Sequence, residues 1–201
     1  DLPGQGGLPL EGKFFRADTE VPIRAMVDYL LSRPDVDAER LAASGISGGG
    51  YYVPRACAYE KRIKACIANS VLYDLECIWK ASFLQFGELF KKRDPLSWLL
   101  ADMIAWRSGC QKVLDVIPAS KDFKVDPALI ECPMLILIGE GEYAGSKEAQ
   151  RQQHTCLDAL PNPQKKLVIA PHNEGAGHHC TAENLSLTSQ IVFDWLDEVF
   201  A

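Results

Sequence analysis

Two patterns of apolar residues alternate along this chain. Short, nearly uncharged runs at 41–46, 63–69, 134–139 and 167–170 read as strands buried on both faces, each followed by a loop rich in Gly, Asp, Glu or His. Between them lie longer stretches with apolar positions at helical spacing. Asp18-Thr19-Glu20 can cap a helix whose Val21, Ala25, Met26, Tyr29 and Leu30 share one face, and Ser32-Arg33-Pro34 ends it. Further helices are predicted from the end of the first strand to about residue 61, near 146–160 and over 183–200. In the last of these Val192, Trp195, Leu196 and Val199 form an i, i+3, i+4, i+7 stripe suited to docking on a sheet. Strands that alternate with helices in this way predict an α/β fold, a parallel sheet flanked by helices.

Between the second and third strands about 60 residues carry their own helical pattern, more than a simple βα connection requires. Trp79, Phe83, Phe86 and Phe90 recur at helical spacing there, and Trp98, Ile104 and Trp106 follow beyond Asp94-Pro95. The organisation expected is a core from 1–75 and 127–201 with a helical cap or lid inserted at 76–126. The aromatics either pack the insertion onto the body or roof an apolar substrate pocket, and the two are compatible.

Composition narrows the function. The 201 residues are 47% hydrophobic and 24% charged, with 21 Lys plus Arg against 27 Asp plus Glu and a net charge of -6. An acidic chain without a basic stripe offers no footprint for nucleic acid or anionic membrane surfaces. No apolar run approaches the roughly 20 residues of a spanning helix. The seven cysteines are scattered singly, without a C-x-x-C pair, which fits a reducing, cytoplasmic setting. The chain opens on Asp1-Leu2-Pro3-Gly4-Gln5-Gly6-Gly7, without a methionine or a signal segment, as though within a longer sequence.

Candidate chemistry begins at Gly45-Ile46-Ser47-Gly48-Gly49, a Gly-x-Ser-x-Gly sequence where a strand should run into a helix. A turn that sharp brings the residues two before and two after the serine together, so Gly45 and Gly49 supply the room and Gly50 adds more. It lifts the serine oxygen above the sheet and aims the Gly48 N–H at a developing oxyanion. A phosphate loop would need Lys-Ser/Thr after the glycines, and a dinucleotide fingerprint a glycine at Ser47.

A serine hydroxyl needs a base and a carboxylate to orient that base. Of the four histidines, His172, His178 and His179 lie around the loop before the last helix. His179 is preferred as base, although spacing in a glycine-rich loop does not separate it from His178. His172 is expected at the strand end and His154 on a helix surface. Zinc is disfavoured, because adjacent histidines diverge and no further ligand sits at helical metal spacing. Glu142, past the end of the third strand, is the first choice for the acid, with Glu140 structural. Asp74 is the rival, in a position equally suited to a helix cap. Tyr51, Trp79 and Phe83 are candidate pocket residues; Arg55 and Tyr51 are equally explained by a helix surface.

These residues resemble the α/β-hydrolase superfamily, in the branch of fungal polyketide-shortening C–C hydrolases and the bacterial dihydroxypseudooxynicotine hydrolase. The resemblance spans nearly the whole chain. It rests on Asp1-Leu2-Pro3-Gly4-Gln5-Gly6, Arg33-Pro34-Asp35-Val36-Asp37, Gly45-Ile46-Ser47-Gly48-Gly49-Gly50-Tyr51, Pro54-Arg55, Gly139-Glu140-Gly141-Glu142, Gly175-Ala176-Gly177-His178-His179-Cys180 and Phe193-Asp194-Trp195-Leu196. It implies Ser47 as nucleophile, His179 as base and Glu142 where the family usually has aspartate. The implied activity is hydrolysis of a small carbonyl substrate without a cofactor, at the C–C bond of a β-diketone or polyketide-like compound or at an ester. Lyase or cyclase chemistry in the same pocket is the alternative.

In that branch, several strands and the second oxyanion donor precede the Pro-Gly-Gln-Gly stretch. Their absence from this sequence leaves the nucleophile strand at an open edge, which should associate. The chain is therefore expected to be a fragment, a processed half or a short homologue that dimerises. An inert architectural chain that works through the open edge is the competing class.

Overall fold

The computed structural model describes residues 1–91 and 95–201, apart from the side chains of 84–91, 96 and 97. In chain order the elements are α1 (Glu20–Leu31), β1 (Ala42–Ile46), α2 (Gly49–Tyr59), β2 (Ala65–Asn69), α3 (Leu75–Lys91), α4 (Pro95–Arg107), α5 (Val116–Ala119), β3 (Met134–Gly139), α6 (Glu140–Gly145), α7 (Lys147–Ala159), β4 (Lys165–Ala170) and α8 (Leu185–Val199). The chain divides into two compact units, one of 1–18 with 74–124 and the other of 19–73 with 125–201. The opening segment thus groups with the helical insertion.

The larger unit is built on a four-stranded parallel sheet in the order β1-β2-β3-β4. Every residue of β2 and β3 is buried, as their continuous apolar runs require. Alternate side chains of β2 serve opposite faces. Ala65 and Ile67, with Leu135, pack under Trp195, and Val192, Leu196 and Val199 of α8 flank that cluster, so the expected stripe is the one that docks. Cys66, between them, meets Cys57 of α2.

β1 departs from expectation. Only Gly45 is buried, and Ile46 is 55% exposed. The reason is position: β1 is an outer strand, and over its α8 face runs a groove of about 430 Å³ lined by Asp37, Arg40, Ala42, Ser44, Ile67 and Phe193.

α1 is a second correction. It buries Ile23 and Val27, while Val21, Met26 and Tyr29 of the expected stripe are exposed. The helix rotates this way because polar groups fix it to α2. The Thr19 hydroxyl does not cap α1 and instead donates to the Tyr52 carbonyl at 3.3 Å. The Glu20 carboxylate takes a two-pronged ion pair from Arg55, at 2.8 and 2.9 Å. Arg55 is thereby a helix–helix tie.

In the smaller unit, the Asp74 carboxylate accepts the Cys77 amide at 3.1 Å at the start of α3, and Lys124 lies 3.4 Å from its other oxygen. The Phe15 amide donates to the Arg107 carbonyl at the end of α4, joining the opening segment to this unit. The Trp79 and Phe83 rings pack 6.2 Å apart along α3. Phe86 and Phe90 fall outside the described side chains and Asp94 outside the described residues. α4 buries Ala101 and Ala105 while Trp98 and Trp106 are exposed. Among the described residues, no helix is long and apolar enough to cross a membrane.

Candidate active site

The turn between β1 and α2 is set by close backbone approach. Ser47 has φ 56°, left-handed and costly for a residue with a Cβ. A Cβ on Gly45 would sit 2.0 Å from the Gly49 carbonyl oxygen, and one on Gly50 would sit 1.7 Å from that of Ser70. A Cβ on Gly49 would meet nothing, so Gly45 and Gly50 carry the steric requirement that the sequence pattern assigned to Gly45 and Gly49.

Two hydrogen bonds lock this turn to the end of β2 and the loop after it. The Ser47 amide donates to the Asn69 carbonyl at 2.7 Å. Pro54, inside α2, has no N–H to offer the carbonyl four residues back. That carbonyl, on Gly50, accepts the Leu72 amide at 3.0 Å instead. Gly48 stands at the N-terminus of α2, where the first N–H groups lack intrahelical acceptors.

His179 reaches this turn from the loop after β4. Its Nε2 lies 3.0 Å from Ser47 Oγ, and its Nδ1 lies 3.0 Å from Glu142 Oε1. Glu142 sits in α6, directly after β3, with its other oxygen accepting the Cys180 amide at 3.1 Å. The three candidates therefore form one hydrogen-bonded chain, although they come from the ends of three different strands. His178 turns away, with its amide on Glu183 and its ring against His172. Glu140 accepts the His172 amide, and His154 on α7 meets the Tyr143 hydroxyl of α6. Asp74 is occupied at the start of α3. Tyr51 is fully buried within the larger unit.

The acid loop and the histidine loop touch backbone to backbone. The Gly141 amide donates to the Gly177 carbonyl at 2.7 Å, and a Cβ on Gly139 would stand 2.2 Å from the His178 carbonyl oxygen. Glycine at 139 is what lets the loops approach so closely.

Electrostatics follow from these contacts. The His179 imidazole is pushed up to about 10, first by the Cys180 sulfur and then by the Glu142 carboxylate, both of which favour the charged ring. Burial raises the Glu142 carboxyl, but the His179 hydrogen bond and charge and the Cys180 amide outweigh it and hold the group below its ordinary range. Ser70 also favours the Glu142 carboxylate, although its hydroxyl lies outside ordinary hydrogen-bond geometry.

Three further residues join the site, two of which, Asn69 and Gln153, the sequence pattern does not single out. Asn69 closes an otherwise apolar strand, and its side-chain amide donates to the Cys180 carbonyl and to Thr181 Oγ1, both at 2.9 Å. One buried residue thus bonds the serine turn through its backbone and the histidine loop through its side chain. Gln153, fully buried on α7, bonds both the amide and the carbonyl of Val71 and fixes the loop between them. Cys180 Sγ lies 3.3 Å from His179 Nε2. A lone polar residue ending a buried strand was the available signal for Asn69.

The chain matches the family model described as the prolyl oligopeptidase family over residues 23–201. It is 30% identical over 230 residues to the 20-hydroxy-prefusarin hydrolase FUS2 of Gibberella moniliformis, covering 100% of this chain and 54% of that protein. It is 26% identical over 237 residues to the alpha/beta hydrolase pydG of an Acremonium species, covering 98% of this chain and 55% of that one. The chain thus spans about half the length of the curated relatives it matches. Among solved structures, the 2,6-dihydroxy-pseudo-oxynicotine hydrolase superposes with a TM-score of 0.72 at 23% identity, covering 99% of this chain and 51% of the other. This agrees with the expected fold, an α/β-hydrolase sheet present in part.

Proposed function

We propose that this chain, which belongs to the prolyl oligopeptidase family of the α/β-hydrolase fold, is the catalytic part of a serine hydrolase that cleaves a small carbonyl compound. The observation that carries the reading is the hydrogen-bond chain from Ser47 Oγ through the His179 ring to Glu142. In its neutral form His179 takes the Ser47 proton at Nε2 as Oγ attacks the carbonyl carbon. Glu142, on Nδ1, holds the ring in the required tautomer and offsets the imidazolium charge that forms. The Gly48 N–H stabilises the oxyanion. Collapse expels the leaving group, which takes its proton from His179, and water repeats the sequence on the acyl-serine. The leaving group is an alkoxide from an ester or an enolate from a β-diketone.

C–C cleavage of a β-diketone or polyketide-like compound is the substrate reading we favour. A small-molecule substrate is supported by the names of the similar proteins, one a hydrolase of 20-hydroxy-prefusarin and another of 2,6-dihydroxy-pseudo-oxynicotine, and the choice of bond is our own reading. We propose further that a parallel strand, from a second copy or from an upstream segment of a longer polypeptide, pairs on the free side of β1 and brings the second oxyanion donor. The outer position of β1 and the exposed Ile46 at its end support that.

The test is product analysis on paired β-diketones and esters with the wild type and Ser47→Ala. Turnover should fall by at least about 10³-fold in the variant. Equal turnover in both would contradict the assignment. Preference for the ester series would replace the C–C reading with an esterase.

A further inference from the structure

Cys180 has no part in the mechanism just given, yet its sulfur lies against the nitrogen that does the work. Nε2 of His179 has Ser47 Oγ at 3.0 Å and Cys180 Sγ at 3.3 Å, so an oxygen and a sulfur donor both lie against one nitrogen. The Glu142, His179 and Cys180 donor atoms all lie within 4.8 Å of one another. We propose that this cluster is an inhibitory site for a thiophilic divalent cation of the zinc class, anchored by Cys180 Sγ and His179 Nε2, with Ser47 Oγ as a third ligand.

The geometry suits such an ion. Zinc–sulfur and zinc–nitrogen bonds of about 2.3 and 2.0 Å at a tetrahedral angle put the two donor atoms about 3.5 Å apart, close to the separation already present. The histidine is also prepared as a ligand. A carboxylate on Nδ1 that leaves Nε2 free is the outer-shell arrangement that orients metal-bound imidazoles, and Glu142 provides it. The sulfur needs little ordering, because its backbone is already fixed. Cys180 is held at φ 57°, with its carbonyl accepting from Asn69 and from Thr181 Oγ1. His179 remains 64% exposed, which gives an ion a route in. A thiolate with an imidazole favours zinc over magnesium or calcium, whose preferred ligands are oxygens.

On binding, the thiol and any protonated Nε2 each release a proton to solvent, the sulfur and nitrogen lone pairs pass to the metal, and no electron is transferred. The bound ion occupies the lone pair that would accept the Ser47 proton. It is an inhibitor here and takes no part in turnover.

The metal-binding half of this inference stands on its own, and only the inhibition half rests on the serine-hydrolase reading. Chelator-stripped protein is titrated with Co²⁺, then Zn²⁺, for the wild type, Cys180→Ala and Cys180→Ser. The expected result is saturable binding of one Co²⁺ with a near-ultraviolet thiolate-to-cobalt band, abolished by Zn²⁺ and absent from both folded variants. A band missing from the wild type, or retained in the variants, overturns the site. In parallel, Zn²⁺ should slow fluorophosphonate labelling of the wild type at least about tenfold, reversibly on chelation, and leave labelling of the Cys180 variants unslowed. Cobalt binding at Cys180 without slowed labelling overturns the inhibition. A wild type that never labels in metal-free buffer counts against the hydrolase reading alone, because the cobalt band still decides the metal site.

Discussion

The turn that holds Ser47 and the loop that holds His179 meet across one hydrogen bond, but different forces build them. Backbone sterics shape the serine turn: Gly45 lies against the Gly49 carbonyl, Gly50 against that of Ser70, and Pro54 releases a carbonyl that binds the turn to its neighbour. The histidine loop also needs glycine at 139 for its close approach, but it is held mainly by polar side chains, several from distant parts of the chain. Asn69 donates to Cys180 and Thr181, Glu142 accepts the Cys180 amide, and Thr181 shares a hydrogen bond with Thr188. Two successive non-glycine residues there, Cys180 and Thr181, sit at positive φ, so these bonds offset a local cost. A steric turn should fail abruptly when crowded, and a polar loop should loosen by degrees when one contact is removed.

Crowding the turn is the harshest way to break the comparison. Gly45→Ala places a methyl 2.0 Å from the Gly49 carbonyl oxygen, so the backbone of the turn must shift. We expect destabilisation of about 3 kcal/mol and loss of labelling by a serine probe, read by chemical denaturation and intact mass. A variant as stable and as reactive as wild type would show that the turn is not sterically set.

Loosening the loop should cost less. Asn69→Ala removes two buried hydrogen bonds, which is worth about 1–3 kcal/mol, while leaving the backbone bond to Ser47 in place. Displacement of His179 by a fraction of an ångström should slow probe labelling by about 10–100-fold. A fall in stability with no change in labelling rate would make Asn69 merely structural.

The smallest effect is on pH dependence, in metal-free buffer. Because the His179 pKa is raised to about 10, the ring is charged at neutral pH, and the neutral base grows as pH rises through that value. Labelling should therefore climb well above pH 7 and fall as pH drops. In Cys180→Ala the limb should move to lower pH while Glu142 still holds it above an ordinary histidine. The same shift contributes stability below the unfolded pKa near 6.5 and loses it as pH rises through the folded value. An acid limb unchanged in the variant would mean that the sulfur does not set the base.

This contrast also explains what could be read from the sequence. The parallel sheet and the strand-to-helix turn at Ser47 are legible, because buried runs and small residues at fixed spacing are local signals. Within the histidine loop, spacing does not separate His178 from His179, since the contact that singles out His179 is with Ser47, 132 residues away in sequence. The α1 face was misread because Thr19 and Glu20, apparent capping residues, are drawn to Tyr52 and Arg55. β1 is buried only at Gly45 although its apolar run predicts two covered faces, because such a run does not report what lies over each face. Asn69 and Gln153 were passed over because their partners lie up to 112 residues away in sequence.

The central claim is that His179 activates Ser47, and the most direct test is fluorophosphonate labelling followed by intact mass and peptide mapping, on the wild type, Ser47→Ala and His179→Ala. The account predicts a single adduct on the wild type, mapped to Ser47, with none on either variant. An adduct on another residue, or undiminished labelling of folded His179→Ala, would contradict it.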